Sequence, residues 1–188
     1  TQLKGELNIG ITDNLVTMPK MLITNALSEL KQQGPEVIIN IRMIPPNDIE
    51  LGVLDGRLHV GIVPTLRALA GLNYHPLYEE RSKLYCSHNH PLFDVADSEI
   101  DLSAWDAVVP AYAQTALIKA CHQQLKATAT ATDREGIAFL ILTGQYLGYL
   151  PEHLAHQWVA AGKMRAIDPD THHYETDFSV ITQSTAAF

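Results

Sequence analysis

Small polar side chains follow several segments of this chain that look like buried strands, and they are well placed to bind a small molecule. In open α/β sheets, ligands bind in the crevice beyond the carboxyl ends of the strands. The positions that meet this rule are Thr12, Asp13, Asn14, Pro46, Asn47, Val63, Pro64, Thr65, Pro110, Ala111, Tyr112, Thr132 and Asp133. An alternative is that Thr12, Asn14 and Asp133 only cap helices, which contributes about 1 kcal/mol each.

Charged groups near these positions bear on what could bind. Helix N-termini present free N–H groups and a partial positive charge, so carboxylates bind there readily, although Asp13 would repel an anion unless it is paired. Arg42 and Arg134 are available to bind a carboxylate. The sequence has no Gly-x-Ser-x-Gly elbow, phosphate-binding glycine loop or His-Glu-x-x-His motif. We therefore expect a binding protein without a cofactor, and not an enzyme.

The histidines and cysteines predict neither a metal site nor a redox centre. The histidine pairs are His88 with His90, His153 with His156, and His172 with His173, and none has further ligands nearby in sequence. The pair on the helix is expected to face solvent. Cys86 and Cys121 lack CxxC spacing, so we expect buried thiols and no disulfide.

Composition excludes several classes of function for this chain. Its 188 residues carry a net charge of -8 and show no basic run, unlike the electrostatic footprint of a nucleic-acid-binding domain. No signal peptide or membrane-spanning apolar run is evident, so we expect a cytoplasmic protein that does not contact membranes. The chain opens almost directly into a strand pattern, so it is expected to be part of a longer protein.

The first third of the chain alternates strand-like and helix-like patterns. The predicted elements are a strand over 6–11, a helix from Met18-Pro19 to Gly34-Pro35, a strand over 37–43, a helix capped by Asn47 and ending near Gly56, and a strand over 58–63. In the last strand only His59 is polar, which is typical of a strand buried on both faces. Successive right-handed crossovers then predict a doubly wound parallel sheet.

A second series of strands and helices follows. The predicted elements are extended segments at 72–77 and 83–87 separated by charged residues 79–81, a strand over 105–110, a helix over 114–125, a strand over 127–132, a helix over 135–142 capped by Thr132-Asp133, a short strand within 144–149, a helix with Pro151 at N1, and strands over 164–167 and 176–182. The final strand has no partner within this series, so the chain is expected to return to the first lobe. The predicted lobes are 1–79 with 177–188, and 80–176.

Several short motifs follow one another along the chain in a recognisable order and spacing: Gly5-x-Leu7-x-Ile9-Gly10, Met18-Pro19, Pro35-x-Val37, Gly56-x-Leu58, Glu80, His90-Pro91-Leu92, Leu150-Pro151 and Gly162. In this order and spacing the chain resembles the effector-binding domain of LysR-type transcriptional regulators. His59 replaces a common aspartate, and Tyr146 replaces a common glycine. The resemblance implies a type 2 periplasmic-binding-protein-like α/β fold, with two Rossmann-like lobes joined by two crossover strands.

The resemblance also implies a function. Such a domain senses a small-molecule effector in the cleft between its lobes, through the strand-end residues named above, and forms homodimers. Dimer contacts would involve the helix from Met18 to Lys31 and parts of 114–125. DNA is bound only by a winged helix-turn-helix that this chain lacks. The alternatives are a monomeric solute-binding protein of a transporter and an enzyme on the same two-lobed fold.

Overall fold

The computed structural model describes residues 4–184, and these divide into two compact units. The first unit contains residues 4–79 and 177–184, and the second contains residues 80–176. Residues 1–3 and 185–188, which the sequence assigned to the first lobe, lie outside the described residues. No helix within the described range is long and apolar enough to cross a bilayer.

The first unit contains five strands of one sheet and two helices. Its elements are β1 (Lys4–Ile11), α1 (Leu22–Gln33), β2 (Glu36–Arg42), α2 (Pro46–Leu54), β3 (Val60–Pro64), the start of β4 (Leu72–Ser87) and most of β9 (His173–Gln183). Strand β1 is parallel to both β2 and β3, whereas β9 runs antiparallel to β3. The carboxyl ends of β2, β1 and β3 are therefore neighbours at one edge of this sheet.

Close packing around β3 requires a glycine at position 61. A Cβ atom on Gly61 would lie 2.5 Å from Cγ2 of Ile49 and 2.9 Å from Cγ1 of Ile181. Real Cβ atoms do not approach so closely, so only glycine lets α2 and β9 pack against β3 here. Ile49 and Ile181 are both fully buried and belong to one apolar cluster.

Both helices of the first unit differ from their predicted starts. Helix α1 begins at Leu22 and not at Met18, whose N–H instead donates to the Leu15 carbonyl in a turn, 3.1 Å away. Helix α2 is capped by Pro45, so Asn47 lies inside its first turn and not at its N-cap. Pro46 explains this shift, because a proline fits the first helical turn, where its missing N–H costs nothing.

The second unit has two small sets of strands and three helices. Its elements are the remainder of β4, β5 (Asp106–Pro110), α3 (Ala116–Gln123), β6 (Lys126–Ala131), α4 (Arg134–Leu142), β7 (Gly148–Pro151), α5 (Glu152–Ala160), β8 (Met164–Ala166) and the start of β9, with short 3-10 turns at Asp97–Glu99 and Leu102–Ala104. Strands β5 and β6 are parallel, and β7 and β8 both run antiparallel to β4. Pro151 is the N-cap of α5 and not its first residue.

Strand β4 is one continuous element of 16 residues, whereas the sequence predicted a break at its charged centre. Glu80 and Ser82 are buried, and Glu79 and Arg81 are exposed. This is the two-residue alternation of an ordinary strand. The chain therefore passes from one unit to the other within β4, and it returns within β9.

Candidate functional site

Thr12 anchors the loop that follows β1. Both its backbone N–H and its Oγ1 hydroxyl donate to the carbonyl of Ile62 on β3, at 3.1 and 2.8 Å. The hydroxyl proton is thereby used, and the lone pairs of Oγ1 remain as acceptors. Next to it, the Asn14 side-chain amide donates to the Asp13 carboxylate. Asn14 also adopts a left-handed backbone conformation, with φ of 60°, which asparagine tolerates better than most residues.

Thr65 forms a hydroxyl pair with Ser179, a residue that the sequence did not single out. The two Oγ atoms are 2.5 Å apart, and the Thr65 N–H donates to the Asp177 carbonyl at 2.7 Å. Ser179 is buried on β9, beside the carboxyl end of β3. A serine within the otherwise apolar segment Phe178–Ile181 is the signal that could have revealed it.

The remaining first-unit positions differ in their exposure. Val63 is fully buried in the core, so only its backbone can face a ligand, and Pro64 is half-buried beside it. Pro46 and Asn47 begin α2, directly after the turn that follows β2, and Asn47 is exposed. These loops and those at Thr12 and Thr65 lie at the carboxyl ends of three adjacent strands.

In the second unit, the loops after β5 and β6 are joined by a backbone hydrogen bond. The Ala111 N–H donates to the Ala131 carbonyl at 2.8 Å, which brings Pro110, Ala111 and Tyr112 beside Thr132. Asp133 caps α4, because its Oδ1 accepts from the Gly136 N–H at 2.7 Å. Thr132 is exposed and does not cap the helix.

Arg134 is buried and paired within the protein, whereas the sequence suggested that it is available to bind a carboxylate. Its Nη1 lies 2.6 Å from each carboxylate oxygen of Glu80, and both side chains are buried. His153 Nε2 is 2.6 Å from Oε2 of Glu80, so His153 is buried as well and not on a solvent-facing helix surface. The expected exposure of this histidine pair is therefore correct for His156 and wrong for His153, which belongs to an internal polar cluster.

Among the remaining histidines and cysteines, His90, His122 and Cys86 are buried. Within residues 4–184, no three histidine, cysteine or acidic side chains converge to hold a metal ion. Cys86 is fully buried, and burial raises the pKa of its thiol to about 11. Cys121 is partly buried, and both thiols are free. Burial also lowers the pKa of His90 and of His122 below the ordinary value for histidine.

Comparison with known protein families shows which family the chain belongs to. The family described as LysR substrate binding domain matches residues 1–187. The chain belongs to this family. It is 56% identical over 184 residues to the HTH-type transcriptional activator BauR of Pseudomonas aeruginosa, covering 96% of this chain. The LysR domain described here spans 60% of that relative's length.

Solved structures resemble this LysR domain in fold. The effector-binding domain of QuiR in complex with shikimate has a TM-score of 0.76 at 11% identity, covering 99% of this chain and 90% of that one. The regulatory domain of Synechocystis CcmR in complex with 2-PG has a TM-score of 0.74 at 16% identity, covering 98% and 90%. At such low sequence identity these similarities are evidence for the fold alone, and they confirm the predicted fold class.

Proposed function

We propose that this chain is the effector-sensing regulatory domain of a LysR-type transcription factor. The observation that carries the proposal is the set of polar groups at the carboxyl ends of β1 and β3. There the hydroxyls of Thr12, Thr65 and Ser179 are held in place by hydrogen bonds to the backbone or to each other. Prepositioned hydroxyls at strand ends suit a small ligand with oxygen or nitrogen substituents. Family membership supports the same assignment.

The second unit also carries loops at the ends of its strands that we propose as effector contacts. The backbone hydrogen bond between Ala111 and Ala131 holds Tyr112 and the α4 N-terminus next to each other. Arg134, the first residue of α4, is in turn fixed by Glu80. We infer that effector contacts come from these loops as well as from the first unit. A ligand that prefers one arrangement of the protein then shifts the population toward it.

We infer that DNA binding resides elsewhere in the full-length protein. The net charge of -8 and the lack of a basic run in this chain disfavour direct contact with phosphates. The relative BauR is named as a helix-turn-helix activator, and this chain spans 60% of it. On this proposal the protein acts in the cytoplasm, and the domain transmits effector binding to a separate DNA-binding region.

We also propose that the domain forms a homodimer, because the first unit exposes a large apolar surface. No residue of α1 is buried, and β2 is the edge strand of its sheet. The large apolar side chains exposed around these elements are Val16, Met21, Leu22, Ile38, Ile41 and Met43. Leu117 on α3 is 72% exposed in the second unit, within the other segment expected at the dimer contact. Exposed apolar patches of this kind mark interaction surfaces.

Oligomeric state separates this proposal from a transport protein. Light scattering of the purified domain should give a dimer, and Ile41→Lys should shift it toward monomer, whereas Lys163→Met, at an exposed lysine outside both segments expected at the dimer contact, should not. A monomer that binds its ligand tightly would favour a solute-binding protein. Conversion of a bound metabolite into a product would favour an enzyme.

The effector proposal is tested by a thermal-shift screen of the domain. The panel would contain aromatic acids, amino acids, dicarboxylates, sugars, polyamines and nucleosides. A ligand at about 100 times its dissociation constant stabilises the folded state by roughly 2.7 kcal/mol. For a domain of this size, each kcal/mol of added stability raises the melting temperature by about 2–4 °C. A ligand that raises the melting temperature of the parent domain but not of Thr12→Val would support the proposal. A ligand whose stabilisation is unchanged by substitutions in every strand-end loop would contradict it.

A further inference from the structure

Three of the four methionines of this chain line one apolar groove on the first unit. Met18 and Met21 come before α1, and Met43 directly follows β2. The groove has a volume of about 150 Å³, and most of its other lining side chains are also apolar. Every lining residue belongs to the first unit, so the groove does not depend on any other part of the chain. The fourth methionine, Met164, is 2% exposed and lies in the core of the second unit.

Met21 and Met43 are the sulfur-containing side chains that are most open to solvent. Met21 is 52% exposed and Met43 is 59% exposed, whereas Met18 is half-buried. The two thiols are more enclosed, since Cys86 is buried and Cys121 is partly buried. Burial also raises the pKa of both thiols, so little of the reactive thiolate form is present. An oxidant that meets this domain therefore reaches the sulfur atoms of Met21 and Met43 first.

Oxidation of these two side chains would change the surface that we propose for the homodimer. Met21 and Met43 lie on that surface together with Leu22 and Ile41. A thioether is apolar and flexible and packs well against another apolar surface, whereas a sulfoxide is polar. Burying a polar group without a hydrogen-bond partner is unfavourable. The sulfoxides would therefore oppose the association that the thioethers favour.

We propose that Met21 and Met43 form a reversible oxidation site that controls dimerisation of the domain. The oxidant is hydrogen peroxide, which transfers one oxygen atom to the thioether sulfur. An S–O bond forms and the O–O bond breaks, so that the sulfur gives up an electron pair and the peroxide leaves as water. Methionine sulfoxide reductases reverse the change. This inference rests on the proposed homodimer and adds a means of regulating it.

Peroxide treatment of the domain, followed by peptide mass spectrometry and light scattering over a dilution series, tests the inference. Met21 and Met43 should gain oxygen before Met164 does. The dissociation constant of the dimer should then rise at least about 10-fold, and sulfoxide reductases should restore it.

Leucine substitutions provide the matched variants. The double variant Met21→Leu with Met43→Leu keeps the apolar volume, so it should dimerise like the parent but should not respond to peroxide. The control Met164→Leu changes a buried methionine outside the groove, and its dimer should weaken with peroxide as the parent dimer does.

Protein concentration gives a second readout that does not depend on the variants. Association is reversible, so peroxide reaches these thioethers while the two copies are apart, and the dimer covers them. Oxidation of Met21 and Met43 should therefore slow as the protein concentration rises through the dissociation constant. Free methionine in the same solution, as a reference, should be oxidised at the same rate throughout.

The outcomes separate this inference from the proposed homodimer. An oxidation rate of Met21 and Met43 that is the same at every protein concentration overturns this inference alone. So does an unchanged dissociation constant once both side chains carry oxygen, or equal weakening of the dimer by peroxide in the double leucine variant. A parent domain that is monomeric before peroxide is added contradicts the proposed homodimer and this inference with it.

Discussion

Arg134 and Glu80 form a buried ion pair in the second unit, with the Nη1 atom of Arg134 2.6 Å from both carboxylate oxygens. His153 contacts the same carboxylate, so one acidic group joins β4 to the first residues of α4 and α5. Burying a charge without a partner is costly, and removing one member of a buried pair leaves such a charge behind. The cluster therefore holds the starts of α4 and α5 in place, and α4 directly follows the proposed ligand residues Thr132 and Asp133.

Breaking this pair should destabilise the domain strongly. Arg134→Met is expected to lower the free energy of unfolding by about 3–5 kcal/mol, measured by urea denaturation at pH 7. The control is Lys83→Met, which removes a more exposed contact with Glu152 and should cost about 0–1 kcal/mol. An equal loss in the free energy of unfolding in the two variants would show that the folded protein does not need Arg134 to bury Glu80.

Asp133 and Thr132 offer a matched pair at the start of α4. The Asp133 carboxylate accepts from the Gly136 N–H, so Asp133→Ala should lower the free energy of unfolding by about 1 kcal/mol. Thr132→Ala should change it by less than about 0.5 kcal/mol, because this exposed residue does not cap the helix. If urea denaturation finds the larger loss at Thr132, the assigned cap is wrong.

Two buried histidines predict how stability depends on pH. Burial lowers the pKa of both His90 and His122 from the ordinary value of 6.5, while the unfolded chain keeps that value. As the pH falls through 6.5, the unfolded state takes up protons that the folded state cannot, so stability is present above 6.5 and declines below it. For His90 the loss is reinforced, since its Nδ1 accepts from the Leu92 N–H and protonation removes that acceptor.

The measurement is the free energy of unfolding between pH 7.5 and pH 5.5, which are conditions chosen to bracket the histidine range. It should fall in the parent domain, and it should fall less in His90→Asn and in His122→Asn. The exposed His75 provides the control, and His75→Asn should follow the parent curve. A slope that is the same in all four proteins would mean that the buried histidines are not its source.

Cys86 should be inert toward thiol reagents. Burial raises its thiol pKa to about 11, with the nearby Arg165 only partly offsetting this, and the thiolate is the reactive form. In a Cys121→Ser background, a disulfide reagent at pH 8 should modify Cys86 slowly, and urea should make the reaction fast. Rapid modification without urea would indicate an accessible thiolate and would reopen the possibility of redox sensing.

The order of the elements could be predicted from the sequence because it depends on local patterns. Apolar alternation marks the strands, and the Gly34-Pro35 break marks the end of α1. Errors arose where two local signals competed. Asn47 is a good capping residue, but Pro46 beside it fixes the helix start two residues earlier.

The buried charges could not be predicted, because their partners lie far away in sequence. Glu80 within a charged run suggested a break in the strand, yet Arg134 is 54 positions away and makes its burial possible. The same reason hid the hydroxyl pair of Thr65 and Ser179, which are 114 positions apart. Local sequence shows that such residues are polar, and only the tertiary fold shows which side chain they meet.

Effector binding at the strand ends is the central claim, and calorimetric titration of a compound found in the screen tests it most directly. The parent domain, the first-unit variants Thr65→Val and Ser179→Ala, and the second-unit loop variant Thr132→Ala would be titrated side by side. Loss of one hydrogen bond to the ligand should weaken binding by about 3- to 10-fold in Thr65→Val, with a smaller loss in Ser179→Ala, which orients Thr65. Thr132→Ala reports on the second unit's loop. Undiminished affinity in all three variants would contradict the proposed site.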